Sequence, residues 1–451
     1  MEQQDTFTAL STPHGESALG VIRCSGPLCT DLVKTIFGNT SPTPRHAYYS
    51  NYRDSKGNFL DQVVYSYFKE EASYTGDPML EISCHGNPFI LQHVLEDLVT
   101  RGCRHAMPGE FTQTAFMNGK MDLSQAEAVI DLINARTDLS LKAASNQLRG
   151  SLSRQINLLV EDLLQIIAEI EAYIDFPEED LPDEGENAPR QKIDNLIYHI
   201  KSLSETAQTG IFLREGVKAI IVGEPNAGKS SLMNCLLGES RAIVSDIPGT
   251  TRDYIEAAFF VDPYRINIID TAGIHETEDL IEKQGIHKTL EQIKISDIIL
   301  LAIDSSTAPP RFDSDVFSLL IPEKTIVIKN KSDLDEHPDQ QNYLNNYRQV
   351  SVSATEELGI EELKLSIGQL LGEPKISSQG DVIAVSARHH TALEIASIEL
   401  KRASQLLEIQ EPAELVANHM REAMTNLEAI VGRIDNERML DKLFASFCIG
   451  K

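Results

Sequence analysis

The stretch Gly223 to Ser230 (GEPNAGKS) has the residue types and spacing of a phosphate-binding loop. It fits the pattern G-x-x-x-x-G-K-[ST] and lies between an apolar segment, AIIV, and a helix-forming segment, SLMNCLLG. In such a loop, backbone N–H groups surround phosphate oxygens at the N-terminus of a helix. Lys229 is placed to reach the β and γ phosphates, and the Ser230 hydroxyl to bind Mg²⁺. The stretch therefore predicts a nucleoside triphosphate site.

Three later segments carry the other groups of a guanine nucleotide site. Thr251, in GTTRD, is placed to close over Mg²⁺, and Asp270, at the end of INIID, to support the ligand shell of the ion. The backbone N–H of Gly273 can reach the γ phosphate. In NKSD, the Asp333 carboxylate can accept the N1–H and amino protons of guanine, whereas adenine would leave it unpaired. The predicted nucleotide is GTP.

A fifth segment, VSVSAT, supplies Ser353 and Ala354, whose backbone is expected near guanine O6. The alternative is a degenerate NTPase fold that no longer binds nucleotide, and the intact Lys229 and Asp333 argue against it. The predicted GTP site comprises Asn226, Ala227, Gly228, Lys229, Ser230, Ser231, Ser245, Asp246, Ile247, Pro248, Gly249, Thr250, Thr251, Asp270, Thr271, Ala272, Gly273, Asn330, Lys331, Asp333, Ser353 and Ala354.

One position lacks the group that orients the attacking water in Ras-like GTPases. Ile274 follows the DTAG segment, where those proteins usually place a glutamine. An isoleucine side chain neither donates nor accepts a hydrogen bond. Hydrolysis of GTP by this chain therefore requires another group to hold the water.

The segments that must position these residues show three patterns. Residues 1–118 alternate short strands with Gly and Pro and contain one helical stretch, which predicts an α+β domain. Residues 119–214 and 373–451 have apolar residues at helical spacing, and we expect them to form one discontinuous all-α domain. Residues 215–372 alternate strands and helices around the phosphate loop, as in a Ras-like α/β P-loop domain. The acidic run after Asp175 predicts a solvated turn.

Composition and charge limit the classes of function. A length of 451 residues suggests about three domains. The formal net charge of -28 argues against a large non-specific nucleic-acid surface, so any RNA contact must be local or made by a partner. No apolar run approaches a membrane span, and the N-terminus carries acids where a secretory signal carries bases. We expect a cytoplasmic protein whose scattered cysteines are reduced.

Several motifs together resemble the MnmE (TrmE) family of tRNA modification GTPases. They are GEPNAGKSSLMN, SDIPGTTRD, DTAGI and the terminal CIGK, and N-terminal segments such as ALGVIRCSGP and SYTGDPMLEISCHGN extend the resemblance over the whole chain. The resemblance implies a GTPase that works with a flavoprotein partner, MnmG, in a heterotetramer. Together they would add a carboxymethylaminomethyl or aminomethyl group to C5 of the wobble uridine of certain tRNAs. It also implies a homodimer formed through the folate-binding-like N-terminal domain.

The same resemblance offers a substitute for the group that Ile274 lacks. It implies a K⁺ ion beside the phosphates and a downstream glutamate, Glu282, that orients the water. A carboxylate can accept from water, and a monovalent cation can offset developing phosphoryl charge. Arg252 remains a conceivable arginine finger or a loop brace. Rival carboxylates in ETEDLIEK are Glu276, Glu278 and Asp279. The implied K⁺ ligands are Asn226, Ser245, Ile247 and Thr250.

For the N-terminal domain the resemblance implies a one-carbon tetrahydrofolate, either the 5-formyl or the 5,10-methylene form. The matching positions are Arg23, Glu81, Lys120 and the terminal Lys451. A pterin displays an amide N–H beside an amino group, so the Glu81 carboxylate can accept both, and basic groups suit the glutamate tail. Taken singly, Arg23 and Lys120 would more often be surface charges than ligands.

The chain also has a candidate functional thiol and two departures from the family pattern. The C-x-G-K ending makes Cys448 a candidate near the folate, with an inert thiol as the alternative; a prenylation signal fits the last two residues poorly. Met107 stands where we expect Arg, and Asn87 where Gly is usual.

Two other functions remain open at this point. A ribosome-assembly GTPase fits the α/β segment, but such proteins usually add a basic RNA-binding domain, and this chain is acidic. A folate-dependent transferase whose GTPase domain has become structural also fits the motifs.

Overall fold

The computed structural model describes most of the chain, and the described residues form two compact units. One unit comprises residues 1–130, 148–168 and 421–451, and the other comprises residues 131–147 and 169–420. The boundaries of the three sequence domains remain predictions. The predicted acidic turn after Asp175 lies outside the described residues, which are 5–175, 188–238, 255–269, 290–310, 312, 314–373, 385–432, 440, 443–445, 447 and 450.

The first unit contains a six-stranded sheet. Its strands are β1 (Phe7–Leu10), β2 (Ser17–Ser25), β3 (Ala47–Arg53), β4 (Phe59–Phe68), β5 (Met79–Gly86) and β6 (Arg104–His105). Their order is β3-β4-β5-β2-β1-β6, and all neighbours are antiparallel except β1 and β6. The predicted strands in this part of the chain are confirmed.

Two helices, α1 (Cys29–Phe37) and α2 (Pro88–Thr100), share a hydrophobic core with this sheet. Buried side chains alternate with more exposed ones along β4, which brings Val63 and Tyr65 into that core. Helix α2 begins after Asn87, whose side chain accepts hydrogen bonds from the N–H groups of the next two non-proline residues. Asparagine at this position of the chain therefore acts as a helix N-cap.

Helices then follow one another, and those after residue 119 agree with the predicted spacing of apolar residues. The six are α3 (Glu110–Met117), α4 (Leu123–Asn134), α5 (Asp138–Leu148), α6 (Ser151–Asp175), α7 (Ala188–Ser204) and α8 (Ala207–Glu215). Among the described residues of 1–118 there are three α-helices, where one helical stretch was predicted. Helix α6 buries an apolar stripe that includes Ile156, Leu163 and Ile170. This spacing of seven residues keeps the three side chains on one helix face.

The second unit contains a mostly parallel six-stranded sheet. Its strands are β7 (Val217–Val222), β8 (Ile255–Val261), β9 (Tyr264–Ile269), β10 (Ile298–Asp304), β11 (Thr325–Asn330) and β12 (Arg348–Ser351). Their order is β12-β11-β10-β7-β9-β8, with only β8 antiparallel to its neighbour. This topology confirms the predicted α/β fold, in which ligands bind at the carboxyl ends of the strands.

Both faces of this sheet carry a hydrophobic cluster. Consecutive residues Ile220 and Ile221 of β7 belong to different clusters because successive side chains of a strand point to opposite faces. The connecting helices are α9 (Lys229–Leu237), α10 (Ser314–Leu319) and α11 (Ile360–Leu371). Strand β10 is buried along nearly its whole length, as expected for a strand covered on both faces.

Two further helices, α12 (Ala387–Glu408) and α13 (Ala413–Val431), follow the α/β segment. A capping box formed by Ser386 and His389 starts α12. The buried Glu399 carboxylate of α12 accepts from Arg402 Nη1 and pairs with His419 Nδ1 of α13, both at 2.6 Å. No helix among the described residues is long and apolar enough to cross a membrane.

Candidate functional site

The loop between β7 and α9 holds the predicted phosphate-binding residues in a tightly packed backbone. A Cβ atom at Gly223 would lie 2.1 Å from the carbonyl oxygen of Ala302. At Gly228, where φ is +85°, a Cβ would lie 2.1 Å from the side-chain amide of Asn330. Only glycine fits these two positions, so the packing of the loop explains why the motif has a glycine at each of them.

Lys229 is the first residue of α9 and folds back over the loop. Its ammonium group donates to the carbonyl oxygens of Gly223 at 2.9 Å and Glu224 at 2.8 Å. Burial lowers the pKa of Lys229, and the nearby Glu224 carboxylate opposes that shift. The side-chain nitrogen of Lys229 therefore lies within the phosphate loop, and its contact with phosphates stays a prediction.

The side chains predicted to bind cations are exposed in the same loop. Ser230, the predicted Mg²⁺ ligand, is the second residue of α9. Asn226, the predicted K⁺ ligand, has a φ of +64°, a left-handed conformation that asparagine adopts more readily than most residues. Both residues are exposed, and each has a side-chain oxygen, the kind of atom that binds hard cations.

Asn330 joins the phosphate loop to the segment expected near guanine. It ends β11 and is 2% exposed. Its Nδ2 donates to the carbonyl oxygen of Ala227 at 2.8 Å, and its Oδ1 accepts from the N–H of Ala354 at 3.2 Å. One side-chain amide therefore brings three predicted segments together at the carboxyl ends of the strands.

The predicted guanine-recognition residues lie beside this amide. Asp333 is exposed, and its Oδ1 accepts from the hydroxyl of the buried Ser353 at 2.5 Å. Lys331 has a φ of +61°, and its ammonium pairs with Asp304 Oδ2 at 2.6 Å. Burial would raise the pKa of Asp304, but the hydrogen bonds from Lys331 and Ser306 outweigh it and lower the pKa. This ion pair anchors the loop that carries Asp333.

Sequence reasoning missed two contacts of this site. The first is the Asp304 carboxylate that holds Lys331, and the position of Asp304 at the end of a buried strand could have indicated it. The second is Cys235 on α9, whose thiol donates to the carbonyl oxygen of Ala354 at 2.9 Å. Nothing in the sequence around Cys235 signals this contact.

A part of the predicted nucleotide site lies outside the described residues, and the roles assigned there remain predictions. This holds for the switch position Ile274, for Arg252 and for the rival carboxylates as well. The predicted site residues concerned are Ser245, Asp246, Ile247, Pro248, Gly249, Thr250, Thr251, Asp270, Thr271, Ala272, Gly273 and Glu282.

In the first unit, two of the predicted folate residues are in direct contact. Arg23 on β2 faces Glu81 on β5 across the sheet, and Arg23 Nε lies 2.7 Å from Glu81 Oε1. Both side chains are about one quarter exposed, at 23% and 28%. Lys120 is exposed and donates to the carbonyl oxygen of Glu71 at 3.0 Å. Lys451 and the candidate thiol Cys448 lie outside the described residues.

Met107 stands where an arginine was expected, and hydrogen bonds still hold the backbone around it. The Met107 side chain is exposed, but its N–H donates to Glu110 Oε2 at 2.7 Å. The same carboxylate pairs with the Arg104 guanidinium. Glu110 therefore orders this loop without an arginine at position 107.

Comparison with known proteins assigns the chain to a family. The model of the MnmE helical domain matches residues 123–448, and the model of the GTP-binding protein TrmE N-terminus matches residues 6–120. A tRNA modification GTPase MnmE from Opitutus terrae is 44% identical over 449 residues, which cover 99% of each chain. The chain belongs to the MnmE family.

Other relatives agree with this assignment. The tRNA modification GTPase MnmE of Aquifex aeolicus is 43% identical to this chain, over 99% of this chain and 100% of the relative. Among solved structures, the chain is similar to the G domain of the T. maritima FeoB iron transporter, at 27% identity and a TM-score of 0.25. That similarity covers 35% of this chain and 99% of the FeoB domain. Membership of the MnmE family rests on the full-length sequence relatives.

Proposed function

We propose that the chain is a potassium-stimulated GTPase that modifies tRNA together with a flavoprotein partner, MnmG. GTP hydrolysis in tRNA modification is the activity of the MnmE family to which the chain belongs. In the proposed reaction, a carboxymethylaminomethyl or aminomethyl group is added to C5 of the wobble uridine. A one-carbon tetrahydrofolate supplies carbon, and the chain acts as a cytoplasmic homodimer.

The observation that carries this proposal is the hydrogen-bond network of Asn330. This side chain ties the phosphate loop at Ala227 to the loop of Ala354, and the neighbouring Ser353 donates to Asp333. The Asp333 carboxylate is exposed and can accept two N–H groups from guanine. The described residues thus support a site that selects a guanine nucleotide.

The residues of the phosphate loop have the chemistry that hydrolysis requires. When nucleotide binds, the Lys229 ammonium group can donate to phosphate oxygens in place of the carbonyl oxygens of Gly223 and Glu224. Its positive charge would then offset the negative charge that develops on the phosphoryl group. Ser230 would hold Mg²⁺ and Asn226 would hold K⁺, since each is an exposed residue with a side-chain oxygen. When bound, these cations neutralise phosphate charge. Glu282 would accept a hydrogen bond from the attacking water.

The ion pair between Arg23 and Glu81 fits the proposed folate site. Arg23 occupies one oxygen of the Glu81 carboxylate, and a carboxylate has about four lone-pair sites in all. Glu81 therefore keeps the capacity to accept the N–H groups of a pterin. Lys120 and Lys451 would pair with the carboxylates of the folate tail, and Cys448 would lie near the bound folate.

The wobble nucleoside of tRNA tests the proposal in cells. A strain lacking the chain is complemented with wild type, Lys229→Ala or the control Lys218→Ala, which removes an exposed lysine of β7. Mass spectrometry of digested tRNA is expected to show the modified uridine with wild type and the control, and its loss with Lys229→Ala.

Each of the other two functions predicts a different result in this experiment. Normal modification in the strain without the chain would contradict the proposal and favour a ribosome-assembly role. Full modification with Lys229→Ala would favour a folate-dependent transferase whose nucleotide domain is structural.

A further inference from the structure

Helix α9 contacts both ends of the proposed nucleotide site. Its first residue, Lys229, lies in the phosphate loop, and two turns later Cys235 reaches the segment expected near guanine. We call residues 353–358 the purine loop; Ser353 and Leu358 close it with two backbone hydrogen bonds, at 3.0 and 3.1 Å. The Cys235 thiol donates to the carbonyl oxygen of Ala354 in this loop at 2.9 Å.

Two side chains hold the backbone of Ala354 from opposite sides of its Cα atom. Asn330 Oδ1 accepts from the N–H of Ala354, and the Cys235 thiol donates to its carbonyl oxygen. These two hydrogen bonds hold the peptide groups before and after Ala354. They therefore fix the direction in which the N–H groups of the purine loop point. Without the thiol, the carbonyl oxygen of Ala354 loses this hydrogen bond, whereas the bond from Asn330 to the preceding peptide group remains.

The state of the Cys235 thiol is consistent with a donor. Burial and the nearby Glu357 carboxylate raise the pKa of Cys235, so the sulfur keeps its proton at neutral pH. The side chain is partly buried and also packs against the hydrophobic cluster of the sheet. A role in packing alone is therefore the competing explanation that an experiment must separate.

We propose that Cys235 is a positioning residue for guanine selectivity. Its hydrogen bond to Ala354 orients the purine loop towards O6 of the base. The inference rests on the proposed GTP site, and it assigns a role to α9 beyond phosphate binding. Cys235 acts through Ala354 and does not touch the nucleotide itself.

The test compares two nucleotides that differ only at position 6 of the base. GDP carries O6, and 6-thioguanosine diphosphate carries sulfur, a weaker hydrogen-bond acceptor, while both keep the N–H groups that Asp333 accepts. Dissociation constants of the full chain are measured for wild type, Cys235→Ala and Cys235→Ser. Thermal unfolding of each variant checks that the chain remains folded.

We expect Cys235→Ala to weaken GDP binding by about threefold to tenfold, the effect of one net hydrogen bond. Binding of the thio analogue should weaken by less than about twofold, since its sulfur accepts a hydrogen bond from the purine loop more weakly than O6 does. Cys235→Ser restores a donor and should restore most of the preference for GDP. Lys229→Ala should weaken both nucleotides equally, because it acts at the phosphates.

Equal losses for both nucleotides in Cys235→Ala, or no loss, would overturn the positioning role and leave the proposed GTP site intact. Failure of Cys235→Ser to restore the preference in a folded chain would overturn it as well. Failure of the wild type to bind GDP would instead overturn the proposed function and this inference together.

Discussion

Asn330 shows how much of the site depends on single side chains that make two contacts. Its amide is buried and uses its donor on Ala227 and its acceptor on Ala354. The Asp304 carboxylate similarly holds both Lys331 and Ser306. A buried polar group left without its partner costs about 1–3 kcal/mol, so the loss of either side chain would loosen two segments at once.

Asp333 is predicted to set the choice of base. In Asp333→Asn, the side-chain Oδ1 can still accept one N–H of guanine, but the amide NH2 would face the other donor, and we expect GDP binding to fall about tenfold to hundredfold. Xanthosine diphosphate, whose base has an oxygen in place of the amino group, should bind better to the variant than to wild type. Competition binding with both nucleotides measures this change.

The control for this prediction is Asp335→Asn, because Asp335 is an exposed carboxylate two residues further on. It should leave the preference for GDP unchanged. An unaltered preference in Asp333→Asn would show that another group reads the base.

At the residue scale, motifs predicted the side chains whose chemistry depends on local spacing. The positions of Lys229 and Asp333 next to a strand and a loop could be read from the sequence, and the structure brings their segments together through Asn330. The Cys235 contact joins residues 119 positions apart. Neither spacing nor residue type could indicate it, because it depends on how α9 packs beside the purine loop.

The elements themselves were predictable where hydrophobic periodicity is regular. Strand β4 alternates buried and more exposed residues, and α6 keeps its apolar side chains on one face. The strand order of each sheet was not predicted, because pairing depends on contacts between distant segments. The isolated parallel contact of β6 with β1 is an example, since β6 has only two residues.

A buried acid on α2 is predicted to anchor the first sheet. The Asp97 carboxylate accepts from the Tyr52 hydroxyl, the Ser55 N–H and the Arg101 guanidinium, at 2.7 to 2.9 Å. Asp97→Ala leaves these donors without a partner, so we expect the free energy of unfolding to fall by about 3 kcal/mol. Urea unfolding of the chain measures the change.

The matched control is Glu96→Ala on the same helix. Glu96 is exposed, and in the described part of the chain its carboxylate accepts from the exposed Gln92 amide, at 2.9 Å. Its replacement should change the free energy of unfolding by less than about 0.5 kcal/mol. Similar losses in the two variants would contradict the anchoring role of Asp97.

The core of the first sheet should also make the fold sensitive to alkali. Burial, with a contribution from Asp61, raises the pKa of the Cys84 thiol from 9.0 to about 12, and burial raises the pKa of Tyr52 as well. The folded chain therefore holds protons that the unfolded chain releases above about pH 9. Stability should be intact below pH 9 and fall as the pH rises towards 12.

Urea unfolding at a series of pH values measures this dependence. In Cys84→Ala the fall between pH 9 and 12 should be smaller, because one of the titrating groups is gone. An unfolding free energy that stays constant or rises over this range would contradict the assignment.

At the scale of the whole molecule, net charge limits how the chain can contact tRNA. The net charge of -28 repels a phosphate backbone, so recognition of tRNA must use local basic groups or a partner protein. The three domain boundaries remain predictions, and the described residues form two compact units that each combine distant parts of the chain. Such a division depends on which helices pack together and has no local signal in the sequence.

The proposed mechanism depends on an alkali cation that Asn226 would hold and that would supply charge compensation in the absence of a polar group at Ile274. GTP turnover measured in KCl and in NaCl at equal ionic strength tests it most directly. We predict that the wild type turns over GTP at least about tenfold faster in KCl and that Asn226→Ala loses this difference. The control Asn345→Ala, at an exposed asparagine, should keep it. Equal rates of the wild type in the two salts would contradict the account.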